Sequence, residues 1–258
     1  MDKRNSIKIK DLLYPGIVFL LFFAFWEMLV ILFGINPIIL PAPSNILITS
    51  IENINYLIAN FLITLFESVV GFALAFVVSF ILSITFVYSK NTKTAFYPFA
   101  IALKATPLVA IAPLIVLWFG ANMLPMIIMA ALVAFFPILV NSVEGFEQVE
   151  QEKIDLFKIY KASSLREFFK LRLPIAMPFI FSALKISSTL AVVGAIIGEM
   201  TGSGAGLGFV IVNASYYLDV PLMFAAILFS SVWGIIFFLI VALMEKKAIF
   251  FQRLSTKL

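Results

Sequence analysis

The stretch DLFKIYKASSLREFFKLRLPIAMP (residues 155–178) interrupts a chain that is otherwise strongly apolar. Its charges come at helical spacing and alternate in sign along the polar interval 143–172, a pattern that predicts short helices and not a flexible tether. Ser164 is followed three residues later by Glu167, which is the spacing of a capping box. The sequence therefore predicts a helix over residues 165–172.

This predicted helix has one apolar face. Leu165, Phe168 and Phe169 stand at positions i, i+3 and i+4, and basic residues fill the remainder. Two adjacent phenylalanines must be buried somewhere. One interpretation is that they fold back onto the membrane interface or onto the protein's own helix ends, and the other is that they dock into a groove on a soluble partner. Pro174 suits a first helical turn, so it is expected to end this helix and to start the next.

Apolar residues dominate the rest of the chain. Hydrophobic residues make up 63% of the sequence and charged residues 12%, and the mean hydropathy is +1.12. A soluble domain of 258 residues cannot bury that much apolar surface. The 29 phenylalanines are spread through long apolar stretches, which is typical of a chain whose solvent is lipid. The sequence therefore predicts an all-α polytopic protein of the lipid bilayer.

Six segments are long enough to cross a membrane, for which a helix needs about 20 apolar residues. They lie near residues 13–34, 62–88, 97–119, 123–142, 174–198 and 220–244. The third segment is the weakest because Lys104, Pro107 and Pro113 interrupt it, and such a span must pack against protein or line a cavity. The predicted organisation is a tail (1–12), a first span with its outer loop (13–58), a core (59–245) that contains the loop 143–172, and a second tail (246–258).

Basic residues predict the orientation of the chain. Sixteen of the 18 Lys and Arg residues lie before the first span, in the loops that follow the second and fourth spans, or after the sixth span. The loops 35–61, 120–122 and 199–219 contain none. By the positive-inside rule, both termini and the loop 143–172 face the cytoplasm. Orientation and contact with anionic lipid account for the net charge of +4, so no nucleic-acid partner is expected.

The sequence contains no cysteine and no histidine. Disulfides, thiol nucleophiles and the commonest metal ligands are therefore excluded, and neither a metal nor a cofactor is expected. The glycines at positions 202, 204, 206 and 208 lack the following Lys-Ser/Thr of a phosphate-binding loop. The chain is accordingly not expected to be an enzyme or to hydrolyse ATP itself.

Polar residues inside the predicted spans are candidates for a pathway or a gate, because an unpaired ionisable group is costly there. Glu67 and Lys104 are each predicted at depths that suit interhelical salt bridges, and Lys185 lies in the fifth span. Structural pairing or extension to the interface is the more ordinary explanation for all three. Three successive hydroxyl residues cannot all face one pore, and helix packing also explains them. The candidates are Glu67, Lys104, Ser187, Ser188, Thr189 and Glu199.

Residues 155–178 resemble the EAA loop of ATP-binding-cassette (ABC) importer permeases, which reads E-A-A, then a glycine, then I/V-x-L-P. In register with Leu173 and Pro174, Asp155 stands at the glutamate and Lys161 at the glycine. Because lysine adopts a left-handed turn less readily than glycine, a differently shaped bend is expected. The resemblance implies a coupling helix that inserts into a cleft of the ATPase subunit. The implied coupling residues are Asp155, Ala162, Ser163, Ser164, Leu165, Arg166, Glu167, Phe168, Phe169, Leu173 and Pro174.

Five further stretches extend the resemblance to the sixth span. TLFESVVGFALAFVVSFILS (64–83) is similar to the second span of the family, usually S-L-x-R-x-x-x-G-F, with Glu67 and Ser68 in place of the usual polar residues. The others are ILPAPSNIL (39–47), PLVAIAPLIVLWFGANMLPMII with FFPILVNSVEGF in the third and fourth spans, and GEMTGSGAGLGFVIVNA in the loop before the sixth. They resemble permeases that import nitrate, sulfonates, taurine and pyrimidine vitamin precursors.

This resemblance implies the type I importer fold (ABC transmembrane type-1) with six spans, in the cell membrane of a prokaryote. It implies a permease that pairs with a second copy, a cytoplasmic ATP-binding subunit and an extracytoplasmic binding protein. Glu199 then either receives a basic group of the binding protein or is a solvated helix end. The solute is an oxyanion such as sulfonate or nitrate, or a heterocycle such as a pyrimidine precursor or riboflavin. The alternative is a stand-alone secondary transporter, which is expected to show an internal repeat.

Overall fold

The computed structural model describes the backbone of residues 9–255, and the side chains of that range except those at 9–12, 15, 103–105 and 249–255. The described chain is helical throughout, which confirms the all-α prediction. Its elements are α1 (Ile9–Leu32), α2 (Pro43–Glu52), α3 (Ile54–Tyr88), α4 (Lys90–Ala105), α5 (Leu108–Phe119), α6 (Met123–Glu147), α7 (Gln151–Ile159), α8 (Ser164–Glu167), a π-helical turn (Phe168–Arg172), α9 (Leu173–Gly202), α10 (Leu207–Tyr216) and α11 (Val220–Ser255).

Four helical stretches within the described range are long and apolar enough to cross a membrane by themselves. They are Ile54–Tyr88, Met123–Glu147, Ser164–Gly202 and Val220–Ala248. Gly16–Leu32 and Leu108–Phe119 are apolar but shorter. A multi-pass membrane protein is therefore confirmed, whereas the count of six crossings and the division into tails and core stay predictions.

The third predicted segment is two helices and not one. Helix α4 begins at Lys90, earlier than predicted, and the chain leaves the helical conformation at Thr106 and Pro107 before α5 begins. Proline cannot donate a backbone hydrogen bond and disfavours the helical conformation of the residue before it. The predicted interruption at Pro107 is thus present, whereas Pro113 lies inside α5.

Helix α6 packs between α3 and α9 and forms the centre of the bundle. Glycines allow these three backbones to approach closely: a Cβ atom at Gly71 would lie 2.8 Å from the carbonyl oxygen of Ile127, and one at Gly194 would lie 2.7 Å from that of Met129. Small residues commonly mediate helix packing in membranes, where no hydrophobic force drives helices together. The packing therefore fixes α3 and α9 on the two sides of α6.

The two ends of the bundle differ in charge. The basic end comprises residues 88–93, 144–172 and 245–248, and the opposite end comprises residues 27–67, 119–126 and 199–219. At the basic end, Lys93 forms a salt bridge of 2.7 Å with Glu147. At the opposite end, which contains no Lys or Arg, Glu27 accepts hydrogen bonds from the Ser44 backbone N–H at 2.9 Å and the Ser44 hydroxyl at 2.6 Å.

Candidate functional site

Helix α7 ends in a left-handed turn at Lys161, which has a φ of 49°. The Ala162 N–H donates to the Phe157 carbonyl at 3.0 Å, and the Lys161 N–H donates to the Lys158 carbonyl at 2.9 Å. These two bonds form a Schellman motif, in which the left-handed position is usually glycine. The expectation of a differently shaped bend is therefore wrong: lysine adopts the conformation that glycine favours, at a cost of about 1–2 kcal/mol.

Helix α8 is capped by Ser163 and not by Ser164. The Ser163 hydroxyl accepts a hydrogen bond from the Arg166 N–H at 3.3 Å, and Ser164 is already the first helical residue. The Glu167 carboxylate does not reach back to complete a capping box, because it accepts a bond of 2.7 Å from the Arg172 guanidinium. Such a charge-assisted bond is stronger than a bond to a neutral backbone N–H. The capping box predicted at Ser164 is therefore wrong.

Pro174 does not end the helix. The chain is helical from Ser164 to Gly202, and a π-helical turn at Phe168–Arg172 closes with a bond from the Leu173 N–H to the Phe168 carbonyl. The proline ring would collide with the carbonyl four residues earlier in a regular α-helix, and the wider π turn accommodates it. The predicted break at Pro174 is wrong, and its correction joins the amphipathic segment to α9 as one rigid element.

The two adjacent phenylalanines have different environments. Phe168 is 7% exposed, and its ring packs against Phe146 and Phe80 with centroid distances of 5.4 and 6.4 Å. Phe169 is 61% exposed and Leu165 is 72% exposed. The single apolar face predicted for Leu165, Phe168 and Phe169 is thus wrong at Phe168, which belongs to the core of the bundle.

Large apolar side chains are nevertheless exposed around the left-handed turn. Ile159, Tyr160, Leu165 and Phe169 form what we call the apolar turn, and each is at least 61% exposed. Lys158, Arg166 and Lys170 flank them and are exposed as well. Exposed apolar groups rimmed by polar residues are typical of interaction surfaces.

The apolar turn is held by contacts to the ends of α3 and α6. Arg172 donates to the Glu167 carboxylate at 2.7 Å and to the Phe146 carbonyl at 3.2 Å, and its guanidinium lies 5.5 Å from the centre of the Tyr88 ring. The Tyr88 hydroxyl donates to the Ser164 carbonyl at 3.3 Å. The ends of α3 and α6 therefore fix the orientation of this surface.

Asp155 lies on the exposed side of α7. It accepts hydrogen bonds from the Lys158 ammonium at 2.9 Å and from the Gln151 amide at 3.0 Å. The bond from Lys158, and after it the bond from Gln151, holds the pKa of Asp155 below its usual value. The remaining predicted coupling residues are half-buried along the same segment: Ala162, Leu173 and Pro174.

The three hydroxyl residues of α9 have separate roles. Ser187 and Ser188 are both buried. Ser187 donates to the Ala134 carbonyl of α6 at 2.9 Å, which is a contact of helix packing, and Ser188 donates within α9 to the Lys185 carbonyl at 2.8 Å. Thr189 instead lines an open groove of about 430 Å³ between α9, α10 and α11. Of the three, only Thr189 faces a space that a solute or a neighbouring chain can reach.

The ionisable candidates of the spans are paired within the bundle. Lys185 forms a salt bridge of 2.7 Å with Glu245 of α11. Glu67 is 1% exposed, and its carboxyl group lies within reach of that of Glu199. The Lys104 side chain lies outside the described residues, so its predicted interhelical pairing stays a prediction.

Glu199 is not a solvated helix end. It is 1% exposed and accepts bonds of 2.6 Å from the Thr64 hydroxyl and 2.6 Å from the Gly208 N–H. The loop after α9 folds back over Glu199, because Gly206 takes a φ of 98° and a Cβ atom there would collide with the carboxylate. The expectation of a solvated helix end is therefore wrong, and a contact of Glu199 with the binding protein stays a prediction.

Sequence reasoning missed two residues of this network. Asn60 accepts a bond from the Gly206 N–H at 2.8 Å, and Thr64 accepts one from the Leu207 N–H at 2.9 Å. The signal was present: Asn60, Thr64 and Ser68 recur every four residues and mark one polar face of an apolar helix.

A bundle of long apolar helices, with acids buried at one end and an amphipathic surface presented at the other, defines a polytopic transport-type membrane protein. Residues 69–249 match the family described as "Binding-protein-dependent transport system inner membrane component", and the chain belongs to that family. This result confirms the resemblance inferred from the sequence.

Individual relatives agree with this assignment. The chain is 33% identical over 220 residues to a "Probable ABC transporter permease protein" of Haemophilus influenzae, which covers 85% of this chain and 88% of the relative. It is 32% identical over 234 residues to the "Formylaminopyrimidine transport permease protein ThiX" of Halalkalibacterium halodurans, with coverages of 90% and 93%. The fold is similar to that of the inward-facing MetNI methionine ABC transporter, with a TM-score of 0.64, 16% identity and coverage of 78% of this chain and 98% of that chain.

The chain is accordingly a permease subunit of an ABC importer. The family and the relatives support this function over the stand-alone secondary transporter, which was the alternative from the sequence. They are permeases, and the prediction that the chain is not itself an enzyme agrees with that class.

Proposed function

We propose that the apolar turn is the coupling surface through which a separate cytoplasmic ATPase drives this permease. The chain crosses the membrane six times with both termini in the cytoplasm, and two copies enclose the path. An extracytoplasmic binding protein delivers the solute to the opposite end. ATP binding draws the two coupling surfaces together. This closure shifts the equilibrium between the inward-facing and outward-facing states of the permease, to the extent that the ATP-bound ATPase binds the two states with different affinity.

The observation that carries this proposal is the combination of exposure and rigidity at the apolar turn. Leu165 and Phe169 are exposed, while Phe168 between them in sequence is packed against α3 and α6. A helix end with apolar anchors suits insertion into a groove of a soluble partner. Because the helix continues without a break into α9, a displacement of the turn is transmitted to the centre of the bundle.

The charge distribution supports the orientation. The four basic residues of the N-terminal tail and those of the basic end would lie on one side of the membrane, as the positive-inside rule requires. The opposite end then faces the binding protein. Its exposed aromatic residues, Tyr216 at 81% and Tyr217 at 71%, suit an interface between apolar and aqueous surroundings.

The proposed solute is a small heterocycle or an oxyanion, as for the import systems that the sequence resembles. The groove beside Thr189 is lined by apolar side chains and by the hydroxyl residues Thr189, Ser230 and Ser231, and none of the described residues that line it is charged. Such a lining favours an uncharged heterocycle over an anion. An anion that enters the groove loses its hydration, and the lining supplies no cation to compensate for that loss. The name of the relative ThiX agrees with a pyrimidine of this kind.

The test replaces only exposed residues of the apolar turn. We expect Leu165→Ala with Phe169→Ala to leave the permease folded in the membrane but to abolish its co-purification with the ATPase and its ATP-dependent uptake. The matched control is Phe33→Ala with Ile39→Ala, which removes two side chains of similar exposure, 71% and 77%, at the opposite end. Normal uptake and ATPase binding by the first double variant would show that the turn is not the coupling surface.

A further inference from the structure

A pair of acidic side chains lies buried at the opposite end of the bundle. Glu67 of α3 and Glu199 of α9 are each 1% exposed, and their carboxyl groups lie within reach of each other. An ionised carboxylate only accepts hydrogen bonds, so two carboxyl groups in such contact can bond to each other only when one of them carries a proton. We propose that Glu67 and Glu199 form a binding site for a single proton, which closes this end of the permease.

The surrounding donors indicate which carboxyl group carries the proton. Glu199 accepts from the Thr64 hydroxyl and from the Gly208 N–H, both at 2.6 Å, which is the environment of an ionised carboxylate. Oε2 of Glu67 is buried and receives a hydrogen bond from no N–H or O–H group of the described residues. Glu67 is therefore the protonated partner and donates to Glu199.

Among the described side chains, no cation faces the pair. The sequence contains no Lys or Arg in the intervals 11–89, 105–152 and 186–245, which include α2, α3, α5, α6 and α10. Lys185, the basic residue of α9, is bound to Glu245. Two ionised carboxylates in this position would be almost fully buried and would have no counter-ion among the described side chains, and such groups take up a proton instead.

The other titratable groups at this end of the bundle do not take the place of the proton in neutralising the pair. Glu52 and Asp219 are exposed, Glu27 accepts from Ser44, and the loop and helix between residues 203 and 215 contain no titratable side chain. A proton on Glu67 therefore neutralises one of the two charges.

The protonated pair ties a loop to the bundle. Three successive backbone N–H groups point into the network: Gly206 donates to Asn60 at 2.8 Å, Leu207 to Thr64 at 2.9 Å, and Gly208 to Glu199 at 2.6 Å. Loss of the proton would place two negative charges beneath these groups. A cavity of about 190 Å³, lined by Glu67 and by Asn122 and Ser203, adjoins the site and gives the proton a route. The proposal stands whether or not an ATPase docks at the basic end.

Infrared spectroscopy of the permease in lipid vesicles tests for the proton directly. We expect the wild-type protein at neutral pH to show the carbonyl stretch of a protonated carboxyl group, and Glu67→Gln to lose it. The glutamine amide still donates to Glu199, so this variant keeps the fold. Glu27→Gln is the matched control, because Glu27 is also in an apolar helix but accepts two bonds from Ser44, and the band should persist.

Thermal unfolding gives a second measurement. The wild-type midpoint should fall from mildly acidic to alkaline pH because the pair must lose its proton, and Glu67→Gln and Glu67→Arg should remove this dependence. In the arginine variant the guanidinium extends into the adjoining cavity and pairs with Glu199. Absence of the band in the wild-type protein, or its persistence in Glu67→Gln, would overturn the proposal. So would stabilisation by sodium at constant ionic strength without the band, which would identify a bound metal cation.

Discussion

The basic end and the opposite end of this permease use charged residues in opposite ways. At the basic end the charges are partly exposed and paired between helix ends, as in Lys93 with Glu147, and apolar side chains face outward beside them. At the opposite end the acids are buried, the backbone folds over them, and no basic residue is present. The basic end therefore exposes an apolar surface, whereas the opposite end covers its acidic side chains with backbone.

The difference shows which interactions hold each end together. Exposed salt bridges contribute about 0–1 kcal/mol, so Lys93 and Glu147 contribute little to the rigidity of the basic end. The buried Phe168 ring contributes more, because removing a buried phenylalanine costs about 3–5 kcal/mol. At the opposite end the corresponding constraint is the contact between Gly206 and Glu199, in which there is no room for a side chain.

The largest effect on stability is expected from Phe168→Ala. It removes a ring that packs against Phe146 and Phe80 and should lower the free energy of unfolding by about 3–5 kcal/mol. The neighbouring change Phe169→Ala removes the same atoms from an exposed position, so stability should change by less than about 0.5 kcal/mol. Thermal unfolding of the purified permease measures both. Equal losses in the two variants would contradict the assignment of Phe168 to the core.

The next largest effect is expected from Gly206→Ala at the opposite end. The residue has a φ of 98°, and its new Cβ would collide with the Glu199 carboxylate, so we expect a loss of about 1–3 kcal/mol. Gly204→Ala is the control, because it introduces the same methyl group two residues away, where nothing lies within 4 Å. Thermal unfolding of the two variants should therefore differ. A Gly206→Ala protein as stable as the control would show that the loop does not close over Glu199.

The elements that follow from hydropathy and proline placement could be predicted from the sequence. Apolar runs located the long helices, and the interruption at Pro107 was expected because a proline lacks a backbone N–H. The same rule failed at Pro174. There the helix continues through a π turn, and Phe168 and Arg172 of that turn contact the ends of α3 and α6. Local sequence does not show such long-range packing.

The candidate site, like the fold, could be predicted from the sequence only in part. The amphipathic segment was recognisable from its charge spacing, but which of its phenylalanines is buried depends on Phe80 and Phe146, far away in sequence. Glu199 was expected at a surface because it precedes a glycine-rich loop. The sequence could not show that this loop returns over the carboxylate, because the bonds that hold it come from Asn60 and Thr64 of another helix.

The smallest effect is expected at the left-handed turn of the basic end, where Lys161→Gly should stabilise the protein. Glycine adopts a φ of 49° without the cost that a Cβ atom adds, so the turn should gain about 1 kcal/mol. Because this turn can open locally without global unfolding, amide hydrogen exchange of the Lys161 and Ala162 N–H groups is the suitable measurement. Exchange should slow by about fivefold, which corresponds to that free energy.

The matched control for this prediction is Lys158→Gly, the same replacement three residues earlier in the right-handed part of α7. There glycine lowers helix stability by about 1 kcal/mol, so exchange should become faster and not slower. If both variants exchange faster than the wild-type protein, Lys161 is not left-handed in solution and the Schellman motif is absent. If only Lys158→Gly exchanges faster, the bend that orients the apolar turn has the geometry that glycine favours. Lysine at position 161 is then tolerated at a measurable cost in free energy.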